Sequence, residues 1–345
     1  MDVSEEVADL LSSDEPSLRW KVRTQVLGED GASRVARRLR AEVRRSPRVQ
    51  RLLDGVQDQP VGAYTKWRGA HWVLLSLADL GYPEGDERLL PLRDQVLDTW
   101  LATRYLREYE DTGRPSDRYR AAVPVSRGRH RRCASQHGGA LLAVVRLGID
   151  DGRAARLAGL LRHWQWPDGG WNCDRRAEAR SSSVHETLLT MRGLHAYAAQ
   201  AGERTAAEAA RRAAEVLLTR RVVYRRSDPA RLGNAGWAEL RYPAYWHHGL
   251  LAGLVGLAET GHVRDDRCAA ALDLLADKRL PGGGWPAEGR WYRAPAAAAR
   301  SNTDLVEWGS VSRHRPNQWV TAAALAALSA AGRLPGVGAA DRPNR

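Results

Sequence analysis

One cysteine and a set of histidines carry the chemistry this chain offers. Cys173 closes the run HWQWPDGGWNCD (163–174), and His71, His137, His185 and His247 each open a largely apolar segment. A thiolate with two imidazoles is a zinc-ligand set of the Cys-His-His kind, which leaves a fourth position open. Cys173, His185 and His247 are the expected ligands, with His137 or Asp174 in reserve; spacing alone does not separate His247 from His248. Neither HExxH nor CxxC occurs, so the fold rather than a short motif would have to assemble the set. Glu186 follows His185 in SSSVHET (181–187) and is the candidate general base toward water activated by such a metal. Adjacent residues on a helix do not face each other, so the two would not form a dyad. The competing reading, and the commoner one, is an acid favoured at a helix start by the macrodipole.

Positioning these residues requires a particular set of elements. Five segments share one plan: HWVLLSLADLGYP (71–83), HGGALLAVVRLGI (137–149), HETLLTMRGLHAY (185–197), HHGLLAGLVGLAETG (247–261) and QWVTAAALAALSAAG (318–332). Each is apolar or small nearly all round, which predicts a helix buried on most sides. Between them lie amphipathic segments at 86–102, 150–164, 205–221 and 264–280, with apolar residues at three- and four-residue spacing and Arg or Asp opposite. Alternating buried and surface helices predict an all-α fold, an α/α toroid in which inner helices form a barrel and outer helices wrap it. Parallel inner helices would gather their opening histidines at one mouth, within reach of Cys173. Residues 1–335 are expected as a single domain, with 61–335 as the repeat core and 1–60 as N-terminal outer helices, the first capped by Ser13. Residues 336–345 are expected to fray.

The same predicted mouth is rich in aromatics, among them Trp67, Trp72, Trp237, Tyr245, Trp246, Trp308 and Trp319. Aromatic faces stabilise cations, though tryptophans more often fill gaps between helices. With the remaining histidines they give His71, His137, Trp72, Trp246, Trp308 and Trp319 as candidate substrate-binding residues.

The net charge of +12 over 345 residues invites a nucleic-acid partner, but the excess is nearly all arginine and is dispersed along the chain. Lysine occurs only at 21, 66 and 278, and RVARRLRAEVRR (34–45) reads as the solvated face of one helix. No specific nucleic-acid partner is expected. No run has the apolar length of a membrane span, and the acidic start MDVSEEVADLL does not read as a secretory signal. Cys133, Cys173 and Cys268 stand far apart in sequence and form no disulfide framework. These features predict a cytoplasmic protein.

The turn Gln165-x-x-x-Gly169-x-Trp171 resembles the QW repeat of squalene and oxidosqualene cyclases. A second copy, DKRLPGGGW (277–285), keeps Gly283 and Trp285 but has Arg279 for Gln, and a third, DQPVGAY (58–64), is degenerate, with Asp58 and Tyr64 in the outer positions. Over roughly residues 60–330 the chain thus resembles the terpenoid-cyclase and protein-prenyltransferase superfamily, which implies a single α/α toroid. The turn itself reads as a structural staple. The chemistry of that superfamily is not carried over whole: DxDD and DDxxD are absent. The Asp-x-Cys zinc motif of prenyltransferase β-subunits becomes Asn172-Cys173-Asp174, in which the cysteine alone fits. A toroid with a cysteine-and-histidine zinc site also resembles the lanthionine-forming cyclases in general plan.

Two functions follow as expectations. The first is a prenyltransferase- or squalene-cyclase-like enzyme acting on an apolar or isoprenoid-like small molecule in the toroid cavity, with zinc at the mouth. The second is a non-catalytic toroid that binds a peptide or protein partner there.

Overall fold

A computed structural model describes residues 1–57, 61–111, 122–296 and 301–334. Asp58 and the 336–345 tail lie outside the described residues. The chain is mostly helical. Its α-helices are α1 (Ser4–Leu11), α2 (Pro16–Lys21), α3 (Arg34–Val43), α4 (Pro47–Gln57), α5 (Ala70–Leu80), α6 (Leu90–Trp100) and α7 (Thr103–Leu106), then α8 (Ala134–Arg146), α9 (Arg153–His163), α10 (Val184–Ala201), α11 (Arg204–Leu218), α12 (Leu250–Glu259), α13 (Ala269–Asp277) and α14 (Gln318–Ala330). A π-helical turn, Val22–Val26, continues α2. No helix among the described residues is long and apolar enough to cross a membrane.

The five apolar segments become α5, α8, α10, α12 and α14, and each packs on the next in that order. Helix α14 then packs on α2 and its π-helical turn, and α2 on α5. The α8–α10 contact is the closest, and HGGALL explains it. A Cβ on Gly138 would stand 2.4 Å from the Thr190 Cα, and one on Gly193 would stand 2.4 Å from the Gly138 carbonyl oxygen. Side chains here would push the two backbones apart.

The amphipathic segments become α6, α9, α11 and α13. Helix α9 buries Ala154, Leu157, Ala158 and Leu161, a stripe at helical spacing, while its arginines face outward. Glu203 caps α11 through the N–H groups of Thr205 and Ala206, and Asn317 caps α14 through those of Trp319 and Val320.

Two turns repeat one construction. Trp171 donates its indole N–H to Leu161 O at 2.8 Å, and Trp285 donates to Leu275 O at 2.7 Å. The backbone N–H of Trp171 reaches Thr187 Oγ1, and that of Trp285 reaches Thr321 Oγ1. Gly169 and Gly283 hold φ values of 97° and 90°, which glycine alone adopts without strain. Gln165 donates to the carbonyls of Gly169 and Ala209. In the second turn Glu6, reaching over from α1, accepts from Arg279 and from the Gly284 N–H. Each turn therefore fastens an amphipathic helix to the start of the following apolar one.

Three sequence expectations need correction. Helix α2 is capped by Glu15, not Ser13, because Pro16 takes the first helical position and moves the start downstream. Residues 16–26 are not an outer hairpin: Leu18, Val22 and Val26 are fully buried where α2 meets α5 and α14. A three-stranded sheet also forms, from β1 (Glu108–Glu110), β2 (Val123–Ser126) and β3 (Arg129–His130), with β1 parallel and β3 antiparallel to β2. Strands of two to four residues are too short to show a period in the sequence.

Candidate metal centre

Cys173 does not meet His185 and His247. Its thiol lies against Cys133 and Glu186 instead, with one ligand atom from each of the three within 4.8 Å of the others. Cys133 is the residue that precedes α8, Cys173 follows the 163–171 turn, and Glu186 sits in the first turn of α10. The α8–α10 contact brings the two helix starts together, and the Trp171 turn delivers Cys173 to the same place.

Glu186 is buried. Its Oε2 accepts the Ser135 backbone N–H at 3.0 Å and the Ser135 hydroxyl at 2.8 Å, and its Oε1 accepts the Cys173 thiol at 3.5 Å. Burial pushes its carboxyl above the ordinary glutamate value, against the Ser135 and Cys173 hydrogen bonds. The two thiols titrate as a pair. The neighbouring Cys173 thiol lowers Cys133, helped by Arg132 and Arg175, against burial and the Glu186 charge. Cys173, beside Cys133, is raised, with burial and the Glu186 charge adding to the effect. The pair thus sheds a first proton more readily than a lone cysteine and holds the second.

Two further groups face the cluster. Arg132 is 8% exposed, and its Nε and Nη2 have no hydrogen-bond partner among the described residues. Its guanidinium lies 5.4 Å from the Tyr105 ring and 6.0 Å from the Trp100 ring, and burial lowers its pKa. Tyr64 is pushed above the usual phenol range by burial first and then by the Glu186 and Cys133 charges. It stays a neutral hydroxyl at any physiological pH.

The donor set suits zinc. Two thiolates are soft ligands and a carboxylate is a hard one, a mixture that borderline zinc accepts, and a tetrahedral site with usual bond lengths would separate a sulfur from an oxygen by about 3.6 Å. The observed Cys173–Glu186 separation of 3.5 Å matches that edge. Three protein ligands leave one position open.

The expected ligands His185 and His247 serve the packing. His185 Nδ1 accepts the His248 backbone N–H at 2.9 Å. His247 stacks on Trp291 with centroids 3.8 Å apart, lies 4.4 Å from the Trp246 ring, and pairs through Nδ1 with Ala244 O. His248 is the more buried of the two, pairing through Nε2 with Val222 O, and neither lines the cavity between α5, α8, α10, α12 and α14. Asp174, held in reserve as a ligand, pairs with Arg176. His71 and His137 bracket Trp100: its indole donates to His71 Nδ1 at 3.3 Å, and His137 Nε2 pairs with its carbonyl at 3.0 Å. All four in-register histidines do open apolar helices or the loops just before them, and each bonds a neighbour through one ring nitrogen, while His71 Nε2 and His137 Nδ1 are buried without a partner among the described residues.

The central cavity, among α5, α8, α10, α12, α14 and the 241–245 loop, holds about 90 Å³ and carries charged walls. Lys21 pairs with Asp79 at 3.1 Å, and Glu259 accepts from Arg146 at 2.9 Å and Arg192 at 2.6 Å. Of the candidate substrate-binding residues only Trp308 lines this space. Trp72 is buried among Tyr64, Trp67 and Tyr245, Trp319 stacks on Tyr242, and Trp246 sits beside His185. The lining is largely apolar, with Leu75, Leu142, Leu251 and Val255 among its residues, and α5, α8, α10 and α12 add Asp79, Arg146, Arg192 and Glu259, single polar residues inside otherwise apolar runs.

Cys133, Ser135, Arg132 and Tyr64 were missed in the sequence. The available signal was that RRCASQH (131–137) opens an apolar segment as SSSVHET does, so its cysteine stands at a helix start as Glu186 does. Comparison with protein-family models and with curated proteins finds no match for this chain.

Proposed function

We propose that the chain is a single α/α toroid and a zinc-dependent enzyme whose metal is held by Cys133, Cys173 and Glu186 at one mouth of the ring. The toroid draws support from the packing order α2–α5–α8–α10–α12–α14, which returns to α2. The observation that carries the functional reading is the convergence of two thiols and a buried carboxylate from three separate elements.

When bound, zinc supplies a Lewis acid that makes a thiol or water nucleophilic near neutral pH. The chain's own groups do the rest. Ser135 fixes the Glu186 carboxylate through two hydrogen bonds, Arg132 offers positive charge to an anionic group of the substrate, and Tyr64 keeps a hydroxyl proton to donate. A reducing, cytoplasmic setting would keep both thiols available.

The cavity bears on the substrate. Ligand pockets usually hold roughly 300–1,000 Å³, so about 90 Å³ with charged walls favours a substrate that docks at the mouth, such as a peptide, over an enclosed isoprenoid. The same observation supports the second reading, a non-catalytic toroid that binds a peptide at this mouth. Elemental analysis of the purified chain tests the first. Cys133→Ser and Cys173→Ser should each hold about one zinc per chain less than the unmodified protein, while Cys268→Ser, whose thiol is buried against His262 O elsewhere, should hold as much. Zinc-free wild-type protein after growth with added zinc would sink the enzyme reading and leave the binding one.

A further inference from the structure

A second set of ligand atoms converges outside this centre. Glu108 in β1, His130 at the end of β3 and His163 at the end of α9 place one ligand atom each within 4.8 Å of the others. His163 Nε2 lies 2.8 Å from Glu108 Oε1, and His130 Nε2 lies 3.3 Å from Glu108 Oε2. The two imidazole rings are 4.6 Å apart. We propose that Glu108, His130 and His163 form a divalent-metal site that clasps the small sheet to α9.

The chemistry of the set points to a borderline metal. Two imidazoles and one carboxylate with open positions are a ligand set used by zinc and by non-haem iron. With metal–nitrogen and metal–oxygen bonds of about 2.0–2.2 Å, ligand atoms stand about 3.3 Å apart. The three atoms are within a small side-chain rotation of that arrangement. Without metal, the Glu108 carboxylate bonds His163 Nε2 and stands 3.3 Å from His130 Nε2; metal would sit between the three groups.

The surroundings hold the ligands in place. Trp164 Nε1 donates to Glu108 Oε1 at 3.2 Å and thereby orients the carboxylate. Trp166 Nε1 donates to the His130 carbonyl at 2.8 Å, and β3 pairs with β2 through Val125 and His130. A carboxylate fixed by an outer hydrogen bond is the arrangement that raises metal affinity. The site faces outward, with His163 the most exposed of the three side chains, so water would fill the remaining positions.

Zinc alone is the probe. In full-length Cys133→Ser/Cys173→Ser protein, equilibrium dialysis at low micromolar zinc should still find one bound equivalent. Glu108→Gln or His163→Gln should weaken it ten-fold or more. Zinc should also raise the melting temperature of the parent variant and not of either substituted one. No binding in the double-cysteine protein, or binding unchanged by Glu108→Gln and His163→Gln, would overturn the proposal. Should the double-cysteine variant not fold, cobalt added to the unmodified chain separates the two centres. Thiolate ligation gives an intense near-ultraviolet charge-transfer band, and an equivalent bound without that band, lost in His163→Gln, identifies this one. If every equivalent carries the band, the site does not exist. The outcome is independent of the cysteine centre, because each set of variants removes one site and leaves the other.

Discussion

The Cys173 thiol points at Glu186 Oε1 from 3.5 Å, and the same carboxylate is pinned on its other oxygen by Ser135. A buried carboxylate with a thiol on one side and a serine on the other is a prepared electrostatic environment, and the thiol pair senses it. Cys133 is lowered by the neighbouring Cys173 thiol, whereas Cys173 is raised. One thiol of the metal-free protein should therefore react with iodoacetamide at a pH below that of an ordinary cysteine, near 8.5. Mass spectrometry should place the adduct on Cys133. In Cys173→Ala the neighbouring thiol is gone, and the pH profile should move upward, with a several-fold slower reaction at neutral pH. First labelling of Cys173 would show that the proton is shared the other way.

Buried histidines predict acid lability. Burial lowers His71 and His248 to about 3 from an ordinary 6.5. An unfolded chain takes up these protons below pH 6.5, and the folded one does so only near pH 3. Their contribution is complete above pH 6.5 and is lost as pH falls toward 3, by up to about 5 kcal/mol for each fully buried group. Asp304 works the other way. Burial pushes it up to about 6 from 3.8, so its contribution is present at low pH and is lost as pH rises between those values. The histidines together outweigh it. Urea midpoints should fall steeply from pH 7 to pH 4.5, and His71→Gln should make the fall shallower. An unchanged slope in that variant would place the proton uptake elsewhere.

The helical alternation was legible because it follows from composition: an all-round apolar run has only the interior to occupy. Segments 185–197 and 318–332 fall on α10 and α14, and the amphipathic 205–221 falls on α11. The site was legible only in part. Cys173 and Glu186 stood out by type and position, but their partner Cys133 lies forty residues upstream of Cys173, and only the α8–α10 approach at Gly138 and Gly193 brings it in. Register misled over the histidines. A residue type repeated at each helix start looks like a ligand set, yet Trp100 and the backbone at 222 and 244 satisfy these rings one at a time. The charges lining the cavity were hidden for another reason: one Asp or Arg within an apolar run does not disturb its periodicity.

The paired turns predict paired costs. Trp171 and Trp285 are fully buried, and each donates to the carbonyl ten residues earlier. Phenylalanine at either position removes the donor, leaves a buried carbonyl unpaired and leaves a gap beside a smaller ring. About 2–4 kcal/mol of stability should be lost in each case. Gly169→Ala should also destabilise, since its Cβ would meet Arg212 O at 2.3 Å at a left-handed φ. Chemical denaturation of the three variants checks this. A near-neutral Trp171→Phe would mean the turn is not the staple its hydrogen bonds describe.

In the cavity, Glu259 is the anion between two arginines. Arg192 and Arg146 both donate to it, and those charges, outweighing burial, hold its carboxyl well below the ordinary range. Replacing it with glutamine keeps the shape but leaves two guanidinium charges facing each other in a space of about 90 Å³. Breaking a buried pair from one side costs about 3–5 kcal/mol, mostly because the remaining charge has lost its compensation. Arg192→Met/Glu259→Met should recover much of that loss, since a matched apolar pair leaves Arg146 alone to reach toward solvent. Urea unfolding of the single and double variants measures the difference. A double variant no better than Glu259→Gln would show that the network holds the inner helices through Arg146 rather than through Arg192.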